Sequence, residues 1–227
     1  MKKFIFVILV SLCCKFFCFA INEIENINTP TAEIIDYGVG GFHVRLYSYG
    51  GVVTKFVFGP FNRVNFGGSI DIANLIGFET PKVKDPAFYF KWRVFDGSKY
   101  FPAFAIGYDG QSYNFISNER VLPKGLFLVF THNLFSALFF DFGVNFTKYR
   151  QDNELLGFLS FRFCIEDIIN FGIEYENIPE SDIEQLNCKL SLLLGRIVWI
   201  DFIFHRLNSQ TEKIERQLRI NYLYKFF

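Results

Sequence analysis

The sequence predicts an all-β fold, an antiparallel transmembrane β-barrel of about twelve strands. Three observations predict it. Beyond residue 20 no stretch reaches the roughly 18 uninterrupted apolar residues of a spanning helix. The dominant hydrophobic period is two, the period of a strand. One of the two faces so defined excludes ionisable residues.

The first element is not part of the barrel. Lys2 and Lys3 form a basic start, residues 4–12 are apolar, and Cys18-Phe19-Ala20 puts small residues three and one positions before a cut. Residues 1–20 therefore read as a cleaved export signal. Lys15 interrupts the apolar run, which argues against a membrane anchor. Leu12 and Phe17 are too large for the position ahead of a lipidated cysteine. Residues 21–41 carry no alternation and read as a periplasmic N-terminal segment; 42–227 form the barrel. Past the signal only Cys164 and Cys188 remain. The strand map puts them near opposite ends of the barrel, so they are expected to be unpaired.

Six segments alternate clearly: 64–72, 88–94, 100–109, 138–146, 198–205 and 218–226. Val64, Phe66, Ile70 and Ile72, for example, interleave with Asn65, Ser69 and Asp71. Across the six, one face has 28 positions and no charge, and the other has 24 positions and eight charges. At the chain average of 20% charged residues, the first face would have held five or six. Lipid explains the strictness, because Arg or Lys on that face costs about 2–4 kcal/mol at the bilayer midplane. A soluble β-sandwich or lipocalin-like barrel would turn the apolar face inward. The aromatic character of that face, and the Gly, Ala, Ser and Asn opposite it, favour lipid outside and a lumen within.

Six weaker segments, 42–49, 52–59, 125–132, 155–163, 168–175 and 186–194, complete twelve strands of near-spanning length. Single-chain bacterial barrels have even strand numbers, so ten or fourteen are also admissible. From the third strand onward short joins (96–99, 133–136, 164–167, 195–196) alternate with longer ones (74–85, 110–124, 148–154, 177–185, 207–215). Outer-membrane barrels have short periplasmic turns and longer outer loops, so both termini are expected in the periplasm. The final strand ends in aromatics at Phe226 and Phe227, as such barrels commonly do.

A family resemblance rests on 101–110 (FPAFAIGYDG), 125–133 (GLFLVFTHN) and 140–146 (FDFGVNF). Together these resemble the repeat block of YjbH-type outer-membrane barrels, with Gly59-Pro60 to Arg63 and Gly77 to Pro81 similar to short spirochaete-type relatives. The block covers residues 59–147 and departs from the larger relatives at Thr131-His132, where they have a Ser-Lys step. The resemblance implies an outer-membrane barrel, with an accessory role in polysaccharide export as one expectation. It carries over no catalytic residue.

No enzyme chemistry is legible. His43, His132 and His205 lack a serine at the two-residue spacing that a barrel phospholipase uses on one strand. No Cys/His pair or acidic cluster suggests a metal, and no cofactor motif is present. Gly-rich stretches such as 38–41 precede no helix and are not phosphate cradles. Charges balance at 23 basic and 23 acidic, so no net field recruits nucleic acid.

The candidate functional surface is the lumen. Its predicted basic side chains are Arg45, Lys55, Lys91, Arg93, Arg162, Lys189, Arg219 and Lys225. Its predicted acidic ones are Asp71, Asp109, Asp141, Glu174 and Asp201. They read either as ion pairs that fill a narrow barrel or as a selectivity lining. The functional expectation is a structural or narrow porin-like channel of the cell outer membrane. A surface adhesin using the loops at 74–85 and 110–124 is the alternative. Expected partners are outer-membrane lipid, the barrel-insertion machinery, and small solutes or host ligands at the outer loops.

Overall fold

A computed structural model describes residues 23–116, 119–135, 137–149, 152–166, 168–180, 183–194, 197–208 and 214–226. The signal expected at 1–20 lies outside the described residues. The described strands are β1 (Val39–Tyr47), β2 (Gly51–Phe61), β3 (Val64–Ala73), β4 (Lys82–Val83), β5 (Ala87–Phe95), β6 (Ala103–Ile116) and β7 (Glu119–Phe135). They continue as β8 (Leu138–Tyr149), β9 (Asp152–Ile165), β10 (Ile169–Ile178), β11 (Gln185–Leu194), β12 (Val198–His205) and β13 (Glu215–Lys225).

The sheet closes on itself. Each wall strand pairs antiparallel with the next in sequence, β3 with β5 across the short β4, and β1 pairs with β13 from Val39↔Lys225 to Leu46↔Leu218. Twelve strands make the wall. The two-residue β4 is an addition in the connection after β3, pairing only Ile72↔Val83 and Ala73↔Lys82. Closure leaves no unpaired edge, the condition for a sheet that stands in lipid.

Polarity is inverted relative to a soluble protein. Phe66, Phe88, Trp92, Phe146, Phe202 and Tyr222 are exposed on the outside. Their alternating neighbours Asn65, Tyr89, Lys91, Asn145, Asp201 and Asn221 are buried within. Outside, phenylalanines line up across strands, Phe104 on Phe130 at 5.0 Å and Phe130 on Phe142 at 5.1 Å between ring centroids. Such pairs add about 0.5–1.5 kcal/mol each beyond area burial. Among the aromatic rings that turn inward, two lie over a glycine of the cross-strand partner. Phe127 lies opposite Gly107 and Phe158 opposite Gly143. A Cβ on Gly107 would stand 2.4 Å from the Phe127 ring, so the glycine makes the room the ring occupies.

Several expected boundaries shift. Tyr100 to Pro102 were expected to open a strand but lie in the connection before β6. There the Ser98 hydroxyl accepts from Phe101 N–H at 3.1 Å, and Gly97 takes a φ of 81°. Pro102 has no N–H to give a ladder. The expected long loops at 110–124 and 148–154 are largely ladder. Pairing continues to Ile116↔Glu119 and to Tyr149↔Asp152. Three register shifts along β6 and β7 keep an irregular sequence paired. The turns after β2, β5, β7, β9 and β11 share one end of the barrel with the start of β1 and the end of β13. That is the end at which the short turns were expected, the short-turn end.

Candidate functional site: the lumen and the segment that fills it

The largest departure from expectation is in the N-terminal segment. Residues 21–41 were expected to lie in the periplasm, beside the barrel. Instead, residues 23–32 are all buried, Ile34 and Ile35 are buried too, and β1 already begins at Val39. The segment folds into a small hairpin within the lumen. Glu25 bridges Pro30, Asn26 N–H donates to the Thr29 carbonyl at 2.9 Å, and Thr31 N–H donates to the Ile24 carbonyl at 3.2 Å. Pro30 brings no N–H that would need a partner there.

The wall satisfies the hairpin's backbone with side chains, because no strand of the sheet is free to pair with it. At the tip, the Glu174 carboxylate accepts from the N–H groups of Ile27, Asn28 and Thr29 at 3.0–3.1 Å. It also accepts from the Thr29 hydroxyl at 2.7 Å. Successive N–H groups converging on one anion form a nest. The carbonyls go to cations. Arg45 donates to Ile27 O at 2.6 Å and Arg219 to Asn26 O at 2.6 Å. Lys91 donates to the carbonyls of Ile24, Thr31 and Glu33 at 2.5, 2.7 and 2.9 Å. Asn65 both accepts from and donates to the backbone of Ile35, and Thr131 accepts from Ala32 N–H at 2.8 Å.

Apolar seats complete the fit. Ala32 packs with Ala103, Ala105, Phe127, Val129 and Phe158, and Ile24 and Ile35 with Val57 and Tyr89. The inward-turned rings over Gly107 and Gly143 are thus the floor on which Ala32 rests.

The segment's carboxylates meet wall cations. Glu23 pairs with Lys189 at 2.6 Å and accepts from Asn170 at 2.8 Å. Glu25 meets Lys55 and Arg219 at 3.0 Å each and Arg45 at 3.6 Å. Glu33 pairs with Arg93 at 3.1 Å. Asn170 and Arg93 both stand near the short-turn end, whereas Glu176, which accepts from Asn28 at 2.7 Å, stands toward the other. Both ends of the described hairpin therefore lie toward the same mouth.

Of the predicted lumen charges, Arg45, Lys55, Asp71, Lys91, Asp109, Asp141, Arg162, Glu174, Lys189, Asp201 and Arg219 are buried inside. Arg93 is half-buried, facing Glu33 and Asp96. Lys225 departs from the reading: it has the inward register but is exposed, because the last turn of β13 stands beyond the filled part of the lumen. Wall-to-wall pairs also occur. Arg162 grips Asp141 through two nitrogens at 3.0 and 3.1 Å, and Arg219 Nε donates to Asp201 at 2.6 Å.

Two buried charges were missed, Glu176 and its partner Lys124. The expected ninth strand stopped one residue before Glu176, and Lys124 was placed in a loop. The three plug carboxylates were missed as well. His43 and His205 are buried, His43 within 2.6 Å of the Asn221 side chain and His205 within 3.4 Å of Asn28. Cys188 is a free thiol, so Cys164 and Cys188 are not bonded to each other. Among the described residues no group of three or more His, Cys, Asp or Glu side chains is placed to hold a metal ion.

No protein-family model and no curated protein matches the chain. Among solved structures the chain is similar to the COG4313 outer membrane channel from Pseudomonas putida F1. That match has 10% identity, covers 85% of this chain and 98% of that one, and gives a TM-score of 0.54. It is also similar to a KdgM porin, at 12% identity over 83% of this chain and 99% of that one, with a TM-score of 0.48. The first likeness supports the fold, a closed antiparallel barrel.

Proposed function

We propose that the protein is a small porin-like barrel of the outer membrane whose lumen is held shut by its own residues 23–36. Small solutes pass only when that hairpin leaves. The observation that carries this reading is the hairpin's mode of attachment. Side chains hold it, no wall strand pairs with it, and both its described ends lie toward the short-turn mouth. It can withdraw toward the periplasm without threading any chain through the barrel.

The apolar exterior supports placement in a bilayer, and the fold supports the outer membrane as the bilayer concerned. Lipid and the barrel-insertion machinery are the partners that this placement requires.

Planar-bilayer recording tests the channel. The refolded protein beginning at Glu23 is expected to be closed, with rare brief openings. The same barrel lacking 23–35 is expected to show long-lived steps. Equal silence from both proteins would leave a structural barrel and end the channel reading.

A further inference from the structure

We infer that the lumen contains a binding site for a small solute bearing several carboxylates, and that Glu23, Glu25 and Glu33 fill it in the closed barrel. The inference rests on the channel reading above, since a solute reaches this site only after the hairpin leaves.

Its centre is the Glu25 carboxylate. Three wall cations converge there, Lys55 and Arg219 at 3.0 Å and Arg45 at 3.6 Å. One carboxylate does not neutralise three cations. The wall supplies two more, Asp109 on Lys55 at 2.8 Å and Asp201 on Arg219 at 2.6 Å, and Glu25 is the anion at this centre that comes from the hairpin. Lys189 makes its hydrogen bonds to the segment, to the Glu23 carboxylate and the Asn26 carbonyl. Lys91 likewise holds only carbonyls of the segment. Removing the hairpin therefore takes three carboxylates from this array of wall cations, and at the tip it uncovers the Glu174 carboxylate. Such an array favours an incoming anion, as rings of lumen charge do in selective pores.

The class of anion follows from the occupant. Each glutamate presents a planar carboxylate to wall nitrogens on a different part of the lumen: Glu23 at Lys189, Glu25 at the three-cation centre, Glu33 at Arg93. A flexible solute with two or three carboxylates would reproduce that set. An acidic peptide and an acidic sugar oligomer share this chemistry.

The probe is tricarballylate, a plain tricarboxylate, added to the detergent-solubilised barrel lacking 23–35. We expect a saturable rise in its unfolding temperature. Half-saturation should come at least about tenfold below that of neutral maltotriose, and the rise should be lost in Lys55→Gln/Arg219→Gln. The intact barrel should show no such rise, because its site is filled. If the deletion does not fold, the full chain carrying Glu23→Gln, Glu25→Gln and Glu33→Gln together with Glu174→Ala, which also releases the hairpin's tip, takes its place, with a smaller saturable rise. Triglutamate and a trimeric uronate, run in parallel, assign the solute to peptide or sugar by which of them saturates at the lower concentration. No saturable response in either protein, or a response unchanged by the double substitution, overturns the site. Saturable binding in a deletion barrel that never conducts would sink the channel reading alone.

Discussion

Replacing Glu174 by Ala is expected to release the tip of the hairpin and to speed amide exchange at Ile27, Asn28 and Thr29 by about 100-fold. Glu174 is fully buried and accepts from those three N–H groups and from the Thr29 hydroxyl. A hydrogen bond to a charged group contributes about 1.5–3 kcal/mol, and a buried donor left without a partner costs about 1–3 kcal/mol. Water entering the space left by the side chain recovers part of this. The residue of that balance, about 2–3 kcal/mol, is what a 100-fold change in local opening represents. Glu174→Gln keeps one acceptor oxygen and should fall between. Glu176→Ala is a useful contrast, because within the hairpin Glu176 holds the side chain of Asn28 and no backbone group of the tip, its other partners being Lys124 and Asn187 of the wall. Hydrogen exchange read by mass spectrometry checks all three. Unchanged exchange at 27–29 in Glu174→Ala would mean that the hairpin is held by something other than this nest.

The second large effect sets two adjacent residues of β8 against each other. Phe142→Arg should lower stability in vesicles by about 2–4 kcal/mol, the cost of a cation among acyl chains. Phe142→Ala should cost no more than about 1–2 kcal/mol, mostly the lost stacking on Phe130 and Phe140. Lipid fills the space left outside, whereas a packed core would lose about 3–5 kcal/mol to the same truncation. One residue earlier the rule reverses. Asp141 is fully buried and binds Arg162 through two nitrogens, with Thr131 and Ser160 donating as well. Asp141→Ala leaves Arg162 buried without its carboxylate, which costs about 3–5 kcal/mol. Guanidinium unfolding in vesicles measures each. A Phe142→Ala loss as large as that of Phe142→Arg would place the phenylalanine in a packed interior.

This contrast between neighbours also explains what could be read from the sequence. Hydrocarbon tolerates no charge, so the outward positions of 64–72, 88–94 and 138–146 are strictly apolar and the register of their strands is legible. Beyond the bilayer that pressure ends. The outer ladders of β6 with β7 and β8 with β9 therefore carry no clean alternation, and 110–124 and 148–154 read as loops although they are largely paired. Parity alone carried Lys225 inward, but parity gives no depth, and the residue stands at the open rim.

The hairpin was not legible at all, and for a different reason. A segment held by wall side chains has no periodicity of its own. Its specification lies in partners such as Glu174, 145 residues from Thr29 along the chain. One signal did exist. The predicted lumen had eight basic and five acidic members, and the supposedly periplasmic 21–41 contained Glu23, Glu25 and Glu33. An excess of buried cations requires anions from somewhere, and the nearest unassigned carboxylates were there.

The account stands on which side of the sheet faces lipid, and the chain carries two natural reporters of that, Trp92 and Trp199. Trp92 is 44% exposed on the outside of β5, whereas Trp199 is 3% exposed inside β12, with its ring 6.3 Å from that of His43. In vesicles of lipid brominated along the acyl chain, the Trp199→Phe variant, which keeps Trp92, is predicted to lose most of its fluorescence. The Trp92→Phe variant, which keeps Trp199, is predicted to retain nearly all of it. Quenching of Trp199 equal to or greater than that of Trp92 would contradict the account.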